Sequence, residues 1–224
     1  MISVILPVFR DADALRLTLR DAAKDAKNAE IIVSATDEDR DALAGLRAAR
    51  PDVIWIEGPR GRARQMNAGA AVARGSWLVF LHADTRLPSG WQRAIESAEQ
   101  AGAVAGCFQF ALESKHPFAR VIEAGVRLRV AVLGLPYGDQ AIFVRRDVFE
   151  SLGGYADIPI MEDVDLVRRL RVTGRLLPAS YRAVTSARRW ERDGWVRVTA
   201  RHLRLILLYF AGVSPERLKC PHAD

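Results

Sequence analysis

Three carboxylates, Glu162, Asp163 and Asp165, fall within four residues, just ahead of the helical pattern Leu166-Val167-Arg168-Arg169-Leu170. Carboxylates at a helix N-terminus meet free backbone amides and the positive end of the dipole, so taken alone the cluster reads as a cap. A second acidic position lies far upstream, in Leu81-His82-Ala83-Asp84-Thr85, after an apolar strand-like run. Together the two suit a metal-assisted group transfer. One carboxylate holds a divalent metal with its anionic leaving group, and the other takes a proton from the acceptor.

Strands and helices must alternate to bring such distant residues together. Apolar runs at Ile2–Leu6, Glu30–Ser34, Val53–Glu57 and Trp77–His82 read as strands. Between them Ala12–Lys27, Glu38–Arg50 and Arg62–Arg74 carry helix-period apolar residues. This alternation predicts βαβ units and a parallel sheet. Ser89 reads as the N-cap of a helix over Gly90–Gln100, followed by a strand near Val104–Leu112. The second half is less regular: a helix over His116–Leu133, a strand over Gln140–Arg145, a short helix over Asp147–Leu152, strands near Leu176 and at Arg182–Thr185, and a last helix over Gly194–Ala211. The expected organisation is one α/β domain, with a nucleotide-binding half over residues 1–112 and an acceptor half over 113–224.

Half of the 224 residues are apolar, enough for one sizeable core, and 27% are charged, which argues against disorder. The net charge of +6, nearly all of it arginine, favours an anionic partner: nucleotide phosphates, nucleic acid or an acidic membrane face. No basic-aromatic stacking module supports nucleic acid. Cys107 and Cys220 are too far apart to suggest a metal or disulfide framework, and Cys107 reads as a small buried residue. No signal-peptide pattern and no run of about 20 apolar residues is present, so the expectation is a cytoplasmic protein.

In an open parallel sheet, ligands bind beyond the carboxyl ends of the strands. The segments to read are therefore Pro7–Asp11, Ser34–Asp39, Gly58–Asn67 and His82–Thr85. Neither a Gly-x-Gly-x-x-Gly turn nor a Walker-type loop is found there. Arg62, Arg64, Gln65 and Asn67 open a helix, and cations oppose the dipole there unless an anion is near, which suits a diphosphate. A solvated basic face is the plainer alternative.

Several segments in this order resemble the family 2 glycosyltransferases. They are Ile2-Ser3-Val4-Ile5-Leu6-Pro7-Val8, Gly61-Arg62-Ala63-Arg64-Gln65-Met66-Asn67-Ala68-Gly69, Phe80–Pro88, Gly138-Asp139-Gln140-Ala141-Ile142-Phe143-Val144, Gly153–Leu166, Ser186-Ala187-Arg188-Arg189-Trp190-Glu191 and Gly212–Leu218. Within that family the chain is similar to a bacterial subgroup described as radical-SAM/selenodomain-associated transferases. The resemblance implies a GT-A fold: a Rossmann-like, mostly parallel sheet flanked by helices, with acceptor-side helices at the C-terminus. It also implies inverting transfer from a nucleotide-sugar, a UDP-sugar being favoured. Asp84 matches the metal-binding end of an Asp-x-Asp triplet and would hold Mg²⁺ or Mn²⁺. Asp163 matches the catalytic base, with Glu162 orienting the acceptor. Pro7, Val8, His82 and Ala83 fall at the donor. Asp139 and Gln140 fall near the donor sugar or acceptor, or merely shape a turn. Arg189 would neutralise the diphosphate, and Trp190 would stack on a sugar or pack at a helix start.

Two positions depart from the family pattern. His82 replaces the first acid of the triplet, and a histidine there can bond a ribose hydroxyl. The position after the second strand that the family fills with Asp is Ala35, leaving Asp37 as a substitute. A catalytically weak nucleotide-sugar-binding or scaffold protein is the alternative these departures raise. Finally, His116–Leu133 and Trp195–Val213 mix arginines with apolar residues. Such helices either pack on the core or meet an anionic membrane face or lipid-linked acceptor.

Overall fold

The computed structural model describes residues 1–24 and 28–218. Asp25–Lys27, which the sequence pattern adds to the first helix, and Cys220 lie outside the described residues. The elements run β1 (Ile2–Pro7), α1 (Ala12–Lys24), β2 (Ala29–Ala35), α2 (Arg40–Ala49), β3 (Ile54–Glu57), α3 (Arg62–Val72), β4 (Trp77–Phe80), β5 (Thr85–Arg86), α4 (Trp91–Gln100) and β6 (Ala105–Glu113). Then come α5 (Pro117–Leu133), β7 (Phe143–Arg145), α6 (Arg146–Ser151), α7 (Glu162–Thr173), β8 (Leu176–Ser186), α8 (Arg188–Asp193), α9 (Trp195–Phe210) and α10 (Pro215–Leu218).

Among the described residues one sheet forms, in the order β3-β2-β1-β4-β7-β6-β8-β5. β1, β2, β3 and β4 are parallel, as their alternation with helices requires. β7 enters antiparallel between β4 and β6, joining the two halves of the chain through one set of backbone hydrogen bonds. The sheet is therefore mixed: β1 to β4 pair in parallel, as do β6 and β8, while β7 and β5 pair antiparallel.

Strand β1 shows why it lies at the centre. Val4 and Leu6 face one layer, with Leu15 and Leu19 of α1, Leu43 of α2 and Trp91 of α4. Ile5 faces the other, with Met66 of α3, Phe80, and Leu166 and Leu170 of α7. A parallel strand covered on both sides is apolar throughout rather than alternating. Helix α3 comes so close to β1 that a methyl added at Gly69 would overlap the Ile5 side chain. Cys107 is buried in β6, and burial pushes its thiol up to about 12.

Several expected elements differ. The cap of α4 is Gly90 in the left-handed region (φ 71°), not Ser89, because the chain must reverse after Pro88. Gln140 lies outside a strand: Gly138–Gln140 is a single 3₁₀ turn, closed by Gln140's own amide on Tyr137, and β7 begins at Phe143. The two strands expected near Leu176 and Arg182 are one, β8, with a register irregularity opposite Cys107–Gln109. The helix expected from Glu38 begins as a separate 3₁₀ turn, Asp37–Asp39, held by Asp39 on Thr36.

Gly69→Ala should destabilise the fold by about 1–3 kcal/mol through overpacking against Ile5. Urea unfolding at constant m-value is the check. A change under about 0.5 kcal/mol would show that α3 can retreat from β1 at little cost.

Candidate active site

The site forms where β1, β2 and β4 end. Gln65 of α3 donates from Nε2 to the carbonyls of Val8 (2.7 Å) and Ser34 (2.8 Å), which fixes the ends of β1 and β2 beside α3. Leu81 N donates to Ile5 O, so the chain stays on the sheet one residue beyond β4 before turning at His82. The carbonyls of Ala83 and Asp84 are then taken by Thr18 Oγ1 and Ser186 N. This leaves the Asp84 carboxylate pointing from a backbone that is held on both sides.

Asp163 and Glu162 arrive from the other half. Met161 is in the left-handed region (φ 68°) although it has a side chain, and α7 starts immediately after it. Ala141 (φ 46°) closes the facing turn in the same unusual conformation. Non-glycine residues held there are costly, and they persist where surrounding structure dictates them. Between these two bends, Gly138 N donates to Asp163 Oδ2 (2.6 Å), and Val164 N donates to Oδ1 (2.8 Å). The His82 ring lies against Gly138, where a Cβ would be 2.7 Å from Nε2 and 3.4 Å from Asp163 Oδ2. His82, Gly138 and Asp163 are thus one contact group, and only glycine fits between them.

The charges are arranged by sign. Glu162 is buried and accepts from Arg62 Nη1 at 3.0 Å. Burial raises the Glu162 pKa, Arg62 opposes that, and Asp163 adds to it. His82 is driven down to about 3, by burial first and then by the charges of Arg62 and Arg189, so it is neutral at physiological pH. Asp84 is raised by burial; Arg188 and Arg189 pull it back, while Asp11 pushes it further. Arg188 holds Asp11 with both guanidinium arms and stands 3.9 Å from Asp84 Oδ2. Arg189 is lowered by burial and by the neighbouring Arg62, Arg201 and Arg188, with Asp84 opposing. Arg62, Arg188 and Arg189 gather around Asp84 and the neutral His82, the first two already bonded to Glu162 and Asp11, and this group of cations could meet an anion.

The other sequence-predicted residues divide in two. Asp139 lies at the site: burial raises it to about 6, Arg129 opposes, and Asp163 and Asp84 add to the rise. Its Oδ1 is buried and has no hydrogen-bond partner among the described residues. Pro7, Val8 and Ala83 lie at or just beyond the strand ends, and Asp37 is exposed in the turn after β2. The remaining side chains are engaged by the fold. Asn67 clamps the backbone of Tyr155 from both sides, and Arg64 pairs with Asp157. Gln140 bonds Phe108 O, Tyr137 N and Arg129. Trp190 is buried among Phe110, Leu112 and Ala119, with Nε1 on Thr199 Oγ1. Asp11 is the group the sequence reading passes over. Its signal was a carboxylate in the loop directly after the first strand.

No group of three or more His, Cys, Asp or Glu side chains among the described residues gathers closely enough to hold a metal unaided. A dication taking most of its ligands from phosphate and water still fits. Asp84 is a carboxylate whose charge its surroundings resist, and Asp139 Oδ1 is a buried acceptor without a donor.

A mixed sheet of this order, with its polar groups at the exits of β1 and β4, is a glycosyltransferase architecture of the GT-A kind. It matches the solved Mannosyltransferase PcManGT from Pyrobaculum calidifontis, in complex with GDP-Man and Mn²⁺, at TM-score 0.67 and 20% identity over 96% of this chain and 66% of that one. It also matches S. aureus TarS 1-349 at TM-score 0.65 and 13% identity, over 83% of this chain and 60% of that one. The same TarS fragment in complex with UDP-GlcNAc gives TM-score 0.64 at 12% identity, over 83% and 58%. Residues 3–151 match the Glycosyl transferase family 2 profile, and the chain belongs to that family. It is also 32% identical over 108 residues to the succinoglycan biosynthesis protein ExoO of Rhizobium meliloti (strain 1021). That match covers 46% of this chain but 31% of ExoO, so the chain spans about a third of that relative.

Removing Arg62 should be costlier at neutral than at acid pH. The folded pKa of Glu162 already lies above its ordinary value, so the carboxyl favours folding most while protonated, and that contribution is lost as pH rises through the folded pKa. Arg62→Gln raises that pKa further. Because Arg62 is half-exposed, the expected loss is only about 1–2 kcal/mol at pH 7.5, shrinking near pH 4.5. Urea midpoints at the two pH values test this, and an equal loss at both would contradict it.

Proposed function

We propose that this chain transfers a sugar from a nucleotide-sugar to an acceptor hydroxyl with inversion, and that Asp163 is the general base. The observation that carries this reading is the placement of Asp163. Both carboxylate oxygens accept backbone amides, so the group is held in one orientation beside the neutral His82. The acceptor oxygen forms its bond to the anomeric carbon while its proton passes to the Asp163 carboxylate. The bond from that carbon to the diphosphate breaks, and its electron pair leaves with the nucleoside diphosphate. Arg188 and Arg189 would meet the charge that develops there. A dication held by Asp84, Mg²⁺ or Mn²⁺, would supply further charge neutralisation when bound. His82 is suited to a ribose hydroxyl and Asp139 to a sugar hydroxyl, its Oδ1 being without a donor. Glu162 shapes the acceptor side through Arg62. The complexes of the solved relatives make UDP-sugars the first donors to test and GDP-sugars the second. We propose, from the ordered segments named above, that the chain belongs with the radical-SAM/selenodomain-associated subgroup.

Asp163→Asn preserves shape and removes basicity, so transfer should fall by roughly 10²–10⁴-fold with nucleotide binding unchanged. Calorimetry with UDP and GDP, with and without Mn²⁺, should show metal-dependent binding that Asp84→Asn weakens. Donor binding without turnover by the wild type would favour the scaffold alternative. Full activity of Asp163→Asn would remove that residue from its role.

We further propose a peripheral position on an anionic, cytoplasmic membrane face, suited to a lipid-linked acceptor. No helix is long and apolar enough to cross a membrane among the described residues. Helix α9 buries only Val198, with Leu205, Leu208 and Tyr209 half-buried, and exposes Val196, Leu203, Leu207 and Phe210 along one stripe. Helix α5 exposes Val121, Leu128 and Val132 in the same way. The single carboxylate on the two helices, Glu123, is buried, so what the stripes present beside apolar groups is arginine. Co-sedimentation with phosphatidylglycerol vesicles should exceed that with phosphatidylcholine several-fold, and Leu203→Glu with Leu207→Glu should abolish it. Equal recovery with both vesicles, or a dimer that the same substitutions dissociate, would overturn this.

A further inference from the structure

The pair Asp11–Arg188 joins two residues 177 apart in the chain, and it stands at the mouth of the site. Asp11 lies in the loop after β1, and Arg188 is the first residue of α8. Arg188 Nη1 donates to Asp11 Oδ1 at 2.8 Å, and Nη2 donates to Oδ2. The same Nη2 is 3.9 Å from Asp84 Oδ2, beyond hydrogen-bond range. One guanidinium nitrogen therefore sits between two carboxylates and bonds only one of them.

We propose that Asp11 is a positioning residue: its two-bond grip keeps Arg188 beside Asp84 rather than on it, and so keeps Asp84 open to a divalent cation. The inference rests on the metal-binding reading of Asp84. A carboxylate that offers both oxygens to a guanidinium outcompetes one approached end-on, because two parallel hydrogen bonds form at once. Both acids are largely shielded, with side-chain exposures of 22% for Asp11 and 25% for Asp84, so the pairing is screened less than one on the open surface. Arg188 itself is half-exposed and borders a cavity of about 500 Å³, also lined by Arg10, Asp13, Glu38 and Asp39, so it has room to swing. With the Asp11 charge gone, the nearest carboxylate is Asp84, about an ångström from hydrogen-bond distance. Arg188 would then close on Asp84 and occupy the oxygen a metal needs. In the native arrangement the guanidinium stays one step away from Asp84, held by Asp11.

The test is direct Mn²⁺ binding, read from the electron paramagnetic resonance of free Mn²⁺ in the presence of UDP or GDP. Wild type, Asp11→Asn, Arg188→Gln and the double variant are compared. Asp11→Asn should weaken Mn²⁺ binding about tenfold, and the Mn²⁺ concentration for half-maximal rate should rise with it. Asp11→Glu, which retains the grip, should stay near wild type. The double variant should bind Mn²⁺ within about twofold of Arg188→Gln alone, because no guanidinium is left to close on Asp84. A merely structural Asp11 would not be rescued by removing its partner. Wild-type Mn²⁺ binding with Asp11→Asn unchanged, or a double variant as weak as Asp11→Asn, overturns this proposal alone. Wild type that takes up no Mn²⁺ with either nucleotide overturns the metal reading and this inference with it.

Discussion

The backbone amide of Gly138 donates to Asp163 Oδ2 across 2.6 Å, and three parts of the chain meet at that bond. The 3₁₀ turn before β7 supplies the amide, α7 supplies the carboxylate, and the turn leaving β4 lays His82 over the glycine. The bond works only if β7 sits against β4, since that pairing sets the turn at its depth in the sheet. It also explains two backbone conformations that nothing local would choose. Ala141 and Met161 both take left-handed angles, one on each side of the bond, and the cost is met by the surrounding sheet and helix. A carboxylate fixed by two amides at a helix start is held in one geometry by the fold itself.

Charge placement follows from the same framework. The N-terminus of α3 carries Arg62 and Arg64 where the dipole disfavours cations, and each turns to a carboxylate brought by the α7 side, Glu162 and Asp157. The conflict legible in the sequence is thus partly relieved within the protein. Arg188 and Arg189 reach Asp84 from the start of α8, over a hundred residues later.

The parallel first half was legible because buried parallel strands are apolar runs and their crossover helices are amphipathic; β1, β2, β4 and α3 fall within a residue or two of expectation. Antiparallel β7 and two-residue β5 were less legible, since neither has length enough for a periodic signal and each is defined by a distant partner. The same limit applies to the site. Asp84, His82 and Asp163 could be found from their positions at strand and helix ends. That Asn67, Gln140 and Trp190 are occupied in holding Tyr155, Phe108 and the Phe110 cluster depends on contacts spanning 88, 32 and about 80 residues. Polar residues near a site and polar residues that build its walls have the same composition, and only packing separates them. Asp11 shows the converse: an ordinary loop acid in the sequence becomes part of the site because α8 brings Arg188 to it.

Histidine at position 82 fits this electrostatic arrangement better than the acid it replaces would. A second carboxylate there would face Arg62 and Arg189, the two charges that His82 meets. It would compete with Glu162 for Arg62, and Glu162 is buried and has only that guanidinium among its hydrogen-bonded cation partners in the described residues. Drawing Arg62 away would leave a buried carboxylate uncompensated, a large penalty in a poorly hydrated place. A neutral imidazole makes no such demand. It fills the space over Gly138, leaves Arg62 with Glu162, and leaves Asp84 as the carboxylate beside Arg188. The departure at position 82 and the long-range Arg62–Glu162 pair are in this sense one feature: with the cation committed to α7, the residue after β4 must be uncharged.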